Sequence, residues 1–206
     1  DTQNPEHMFT VMNDPVRQKV YHWNSNGFKT IYDYTGGSID ENYDYRKLGE
    51  AWSTPRVLRL KINGNDKWTA VFGAGYNNNV TTSYGSAVFV IDLEEEGKVL
   101  QVIDIEDKDD PNDSTNYVIN SVPASLTPII PENTSIANYS GAMVYFADYE
   151  GKLWKINLTD QGTLYDSQYL FDARATRENE RKVMFEVAAS IDEITTPLDF
   201  NSSDKL

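Results

Sequence analysis

The chain has 206 residues, 39% of them hydrophobic and 12% aromatic, enough to bury a core and too apolar for a disordered tail. Its net charge of −14 argues against a phosphate-backbone partner, and no apolar run is long enough for a membrane helix. The lack of Cys excludes disulfides and thiolate chemistry.

Residues 1–15 are polar, contain two prolines and show no stable period, which predicts an arm or connection. Val16–Trp23 and Phe28–Tyr34 read as two strands around Asn24-Ser25-Asn26-Gly27, where Asn-Gly tolerates the positive φ of a hairpin turn. A loop from Gly36 to Gly49 follows, rich in Tyr and acid. Tyr32, Tyr34, Tyr43 and Tyr45 near Asp33, Asp40 and Asp44 read in two ways. They form either an aromatic binding surface with a polar rim or the packing and cover of a sheet.

Arg56–Ile62 alternates Leu58, Leu60 and Ile62 with Arg59 and Lys61, the period of a half-buried strand. It is expected to pair with Lys67–Phe72 across Asn63-Gly64-Asn65-Asp66. Ser86–Leu93 and Lys98–Ile105 make a further hairpin around Glu94-Glu95-Glu96-Gly97, a solvated turn, and complete a unit of four antiparallel strands. The acidic loop 106–121 places Asp107, Asp109 and Asp113 at alternating positions, a spacing compatible with a weak calcium site. It lacks the mid-loop Gly and terminal Glu of an EF-hand, and the competing reading is a solvated loop. A second unit runs Ala124–Ile130, Ala142–Ala147, Leu153–Asn157 and Gln168–Ala173. The charged stretch 175–189 is the one segment with helical character, and Ile194–Phe200 begins a third unit with no room to finish.

These units repeat. Ser53-Thr54-Pro55-Arg56-Val57-Leu58 returns as Ser125-Leu126-Thr127-Pro128-Ile129-Ile130 and again at Thr195-Thr196-Pro197-Leu198. The Thr-Pro pairs lie about 70 residues apart, longer than the roughly 40–50 of common propeller blades. The expected fold class is all-β: propeller-like blades of four antiparallel strands, an incomplete propeller within a larger domain. Residues 1–47 would hold an arm and partial blade, 48–121 a first full unit, 122–190 a second with a short helix, and 191–206 the start of another. Such a piece is expected to expose strand edges and to need further chain or partner subunits.

Leu48-Gly49-Glu50-Ala51-Trp52-Ser53-Thr54-Pro55 and Trp68-Thr69-Ala70-Val71-Phe72-Gly73-Ala74-Gly75-Tyr76-Asn77, with the strand Val88–Leu93 after them, make a motif order. That order resembles the C-terminal β-propeller of PilY-type proteins, which cap and help assemble bacterial type IV pili. Downstream, Phe146-Ala147-Asp148-Tyr149-Glu150-Gly151-Lys152-Leu153-Trp154-Lys155 looks like the family's strand pair, and Leu170–Arg174 and Ile194–Pro197 fall where a next blade opens. It covers about residues 48–198; residues 1–47 match poorly. Within the pattern, Gly73 and Gly75 suit a tight strand exit, Asp148 can accept from the turn's backbone donors, and Trp154 or Leu153 can fill the space between blades. The calcium loop of that family falls at 131–141, where this chain has the single carboxylate Glu132, so no metal ligand carries over.

The resemblance implies a non-enzymatic, exported protein at the cell surface, acting in adhesion and pilus biogenesis. Its partners would be other blades or subunits of a pilus assembly, minor pilins and a host or abiotic surface, with no cofactor required. No catalytic residue is assigned: no Gly-x-Ser-x-Gly elbow accompanies His7 or His22, and Gly73-Ala74-Gly75 lacks the rest of a phosphate loop. The alternative from another class is a propeller enzyme, a quinone-dependent dehydrogenase or a glycan-active protein.

Overall fold

Three hairpin turns fix the local register. Gln18 adopts φ 52° at the end of the turn between β1 (Phe9–Asp14) and β2 (Lys19–Asn24), and Asp14 Oδ1 accepts from the Arg17 amide at 3.0 Å. Asn24 Oδ1 accepts from the amides of Asn26 and Phe28, both at 3.1 Å, so a side chain organises the turn into β3 (Lys29–Asp33). Between β4 (Arg56–Ile62) and β5 (Asn65–Gly73), Asn63 and Gly64 have φ 51° and 80°. Two successive positive values define the primed turn whose twist matches its strands, and Asn-Gly is the pair that adopts it most readily.

The computed structural model describes residues 6–77, 84–105, 120–130, 141–160, 162–175 and 178–189. Beyond β5 come β6 (Ala87–Asp92), β7 (Lys98–Asp104), β8 (Thr127–Ile129), β9 (Met143–Ala147), β10 (Lys152–Asn157) and β11 (Ser167–Asp172). They form three antiparallel sheets in the orders β1-β2-β3, β4-β5-β6-β7 and β11-β10-β9-β8. The architecture is all-β and blade-like, with one short 3-10 turn at Glu41–Tyr43 among the described residues, and no sheet closes into a barrel. The two four-stranded sheets have the strand composition expected of the two repeat units.

The sheets stack face on face with the second in the middle. Leu58, Leu60, Val71, Val88, Val90 and Ile103 of the second sheet share a core with Val144, Phe146, Trp154 and Ile156 of the third. On its opposite face, Ala70, Ala87, Phe89 and Ile91 meet Val20, Phe9 and Val11 of the first sheet and Tyr45 of the loop that follows it. All six residues of β6 are therefore buried. A strand covered on both faces reads as a continuous apolar run, which is why Ala-Val-Phe-Val-Ile shows no polar alternation. Its partner β7 carries a register shift opposite Val90/Ile91, letting both Val99 and Leu100 reach apolar surroundings.

Two expectations are corrected. The arm at 1–15 contains a strand: Phe9 and Val11 of β1 point into the core while Thr10 and Met12 point out. Its alternation was masked because Met12 takes a position that a polar residue would ordinarily mark, and β2 starts at Lys19 rather than Val16. The helix expected in 175–189 does not form over 178–189. Arg174 and Glu180 take positive φ, and Arg181 donates to the Ala173 carbonyl at 3.2 Å. Further on, Glu186 pairs with Arg56, and the Val187 carbonyl accepts from Thr127 Oγ1. Bonds to the second and third sheets outweigh the segment's weak helical preference. The opening of the third unit at 194–200 lies outside the described residues.

Candidate functional site at the junction of the sheets

Five short segments knit the second and third sheets together where β5 ends. Glu50 and Tyr76 exchange both backbone hydrogen bonds, at 2.9 and 2.8 Å, and Gly49 donates to the Ala74 carbonyl at 2.7 Å. On the other side, Gly75 donates to Val122 O at 3.0 Å, Val122 donates to Gly85 O at 2.8 Å, and Tyr149 donates to Ser121 O at 2.7 Å. Gly75 (φ 98°) is required here, because a Cβ would run into the backbone of Glu50. The tight exit read from Gly73 and Gly75 is thus a three-way backbone junction, and it holds three aromatic rings in a row. The centroid of Trp52 lies 5.5 Å from that of Tyr76, and Tyr76 meets Tyr149 edge-on at 5.3 Å. The far end of the row carries a cation, Lys182 Nζ, 5.5 Å from the Tyr149 ring centre.

Beside the row is an open cavity of about 380 Å³, whose walls include Leu48, Gly49, Glu50, Tyr76 and Tyr84. Because Glu50 and Tyr76 are a directly opposed pair, their side chains leave the same face, and both line this cavity. Trp52 is 57% exposed, and its indole N–H and the Glu50 carboxylate have no hydrogen-bond or ionic partner among the described residues.

Underneath, Asp148 is fully buried. One carboxylate oxygen accepts from the Lys152 amide at 2.9 Å and the other from Trp154 Nε1 at 2.7 Å. This is the turn-holding role expected of it, with the indole as an additional donor. Burial pushes its carboxyl up to about 6, against the opposing pull of the Trp154 and Lys152 hydrogen bonds. Lys152 and Glu150 form a neighbouring buried ion pair at 3.2 Å.

The four tyrosines do not make one open surface. Tyr45 is buried, stacks on Phe89 at 5.3 Å and donates its hydroxyl to the Gly97 carbonyl. Tyr32 and Tyr43 stack at 4.8 Å over the same core, and burial pushes the Tyr32 phenol up to about 12. Tyr34 donates to Asn13 Oδ1 at 2.9 Å. Packing and loop cover describe Tyr45 fully and the others in large part, because the loop 36–49 folds under the first sheet. Replacing Tyr45 by Phe is expected to cost about 1 kcal/mol, the net value of one buried hydrogen bond, with the stack on Phe89 retained. Urea unfolding followed by Trp fluorescence reads this directly.

Asp107, Asp109 and Asp113 lie outside the described residues, as do 78–83 and 131–140 of the other long loops. Among the described residues no three His, Cys, Asp or Glu side chains gather as a metal site, and no helix is long and apolar enough to cross a membrane. His22 is buried, and its Nε2 donates to Glu96 O at 2.8 Å, so it ties the first sheet to the turn before β7. Sequence reasoning treated Glu50, Trp52 and Tyr149 as blade-building residues. The available signal was a Trp placed outside any strand, two residues after an acidic one and just before the repeated Thr-Pro.

A stretch of 114 residues, 54% of the chain, is 30% identical to a type IV pilus biogenesis factor PilY1 homologue of Xylella fastidiosa. The match spans 7% of that much longer protein. No family model and no solved structure matches the chain. The chain is thus similar to one segment of a pilus biogenesis factor, and the segment is built from stacked, blade-like sheets.

Proposed function

We propose that this chain is a blade-bearing segment of an exported, type IV pilus-associated protein, acting in adhesion and pilus biogenesis by making contacts rather than by turnover. The observation that carries this reading is the 114-residue similarity to a pilus biogenesis factor. The physical arrangement suits it: stacked sheets give a rigid body, and the junction of backbone bonds around Gly75 fixes aromatic side chains at its surface. Minor pilins or neighbouring blades would be the first partners, with a host or abiotic surface beyond them.

The test is deletion of residues 48–189 from the encoded protein in the cells that make it. Surface pili counted by electron microscopy and attachment to a solid surface are expected to fall together. Normal pilus numbers and normal attachment, with stable protein, would overturn the reading.

A further inference from the structure

We infer that the Trp52–Tyr76–Glu50 corner is a binding site for an organic cation, the Lys or Arg side chain of a basic protein segment. The choice of a protein ligand rests on the contact-making role proposed above; the site itself does not. The argument begins with the backbone. Glu50 and Tyr76 are an opposed pair with both hydrogen bonds made, so the carboxylate and the ring rise from one face. Trp52 follows two residues after Glu50 and stands 5.5 Å from Tyr76, tilted by 33°. Gly75 lets the two segments approach this closely, and the backbone bonds of the junction hold the three residues next to one another before any ligand arrives.

Each component favours a cation. Indole is the best of the aromatic faces for an ammonium or guanidinium, and the exposed Trp52 presents one to solvent. Glu50 supplies a formal negative charge at the wall of the cavity that Tyr76 also lines. The protein uses the same chemistry on itself. Lys182 sits over Tyr149 at the other end of this row, and Lys29 lies 4.5 Å and 5.2 Å from the rings of Tyr21 and Trp23. Those rings take a cation from their own chain, and at the Trp52 corner a carboxylate stands on the same face as the Tyr76 ring. A net charge of −14 adds a long-range attraction for basic partners. A sugar would also stack on Trp52 and donate its hydroxyls to Glu50, so a neutral glucoside is the probe that separates the two ligands.

The experiment uses the ¹⁵N-labelled 206-residue chain and follows the Trp52 indole N–H by NMR. The probes are acetyl-arginine amide and acetyl-lysine amide, with acetyl-glutamine amide and methyl glucoside as neutral controls. The cations are expected to shift the Trp52 signal saturably and the neutral probes are not. Glu50→Gln should weaken cation binding about 2–5-fold, and 1 M salt should weaken it further. Trp52→Ala, at an exposed position that leaves folding intact, should remove the shift of the Glu50 and Tyr76 amides. Equal affinity in Glu50→Gln, equal response to the glucoside, or no saturable shift with either cation would overturn the proposal. Pilus numbers and cation binding are independent readouts, so failure of one reading is separable from failure of the other.

Discussion

Truncating Phe89 to Ala is expected to lower the unfolding free energy by about 3–5 kcal/mol. Phe89 is fully buried and stacks between Tyr45 at 5.3 Å and Phe72 at 5.5 Å. Its removal opens a hole between the first and second sheets at the ring that Tyr45 depends on for cover. Two rigid sheets and a loop anchored by the Tyr45 hydroxyl cannot collapse into the space without breaking strand register. The same truncation at Phe171, which is 61% exposed, is expected to change stability by less than about 0.5 kcal/mol. Urea denaturation of the two variants side by side checks both numbers, and similar losses would show that the sheets do not stack as described.

Asp148 is the second site of large effect, and the size of that effect depends on pH. Asp148→Ala leaves the Trp154 indole N–H and the Lys152 amide without an acceptor in a dry environment, and is expected to cost about 2–4 kcal/mol. Asn in the same place keeps one acceptor and turns an amide donor toward the other N–H, so it is expected to fall between wild type and Ala. The carboxyl is raised from 3.8 to about 6 in the folded protein. The folded state therefore holds a proton more tightly than the unfolded state, and the contribution of this group to stability falls as pH rises through that window. On acidification from pH 7 to pH 4, wild type should gain roughly 2 kcal/mol relative to Asp148→Asn, which has no proton to bind there. The comparison between variants cancels the opposing trend of surface carboxylates such as Asp14 and Asp33, held low chiefly by backbone hydrogen bonds from Arg17 and Thr35 respectively. A wild-type advantage that is flat with pH would mean that Asp148 is solvated.

Much of this fold was readable because its local signals are strong and agree. Asn63-Gly64 between two alternating runs specifies a hairpin almost by itself, and β4 has the limits expected from the alternation of Leu58, Leu60 and Ile62. The repeat announced two sheets of the same strand order, and they are present. Legibility failed where long-range contacts decide. Nothing local in Phe9–Asp14 says that β2 will pair with it, and nothing local in 178–189 says that Arg56 and Thr127 will hold that segment extended. The tyrosines of the first loop show the same limit. A run of Tyr and Asp has one composition whether its rings face solvent or a neighbouring sheet, and only the stacking partner Phe89 distinguishes them. The Trp52 corner was hidden because Glu50 and Tyr76 are far apart in sequence, and their opposition follows from a single isolated bridge.

Complete burial of β6 has a consequence for how the protein is made. Ala87–Ile91 emerges during synthesis with the first sheet already available to cover one side. The residues that cover the other, Val144, Phe146, Trp154 and Ile156, come later in the chain. At about 5–20 residues per second, a sticky ribbon waits several seconds with one side bare. Slowing translation between these two stretches should lengthen that interval and raise the yield of insoluble product, while leaving the finished protein unchanged.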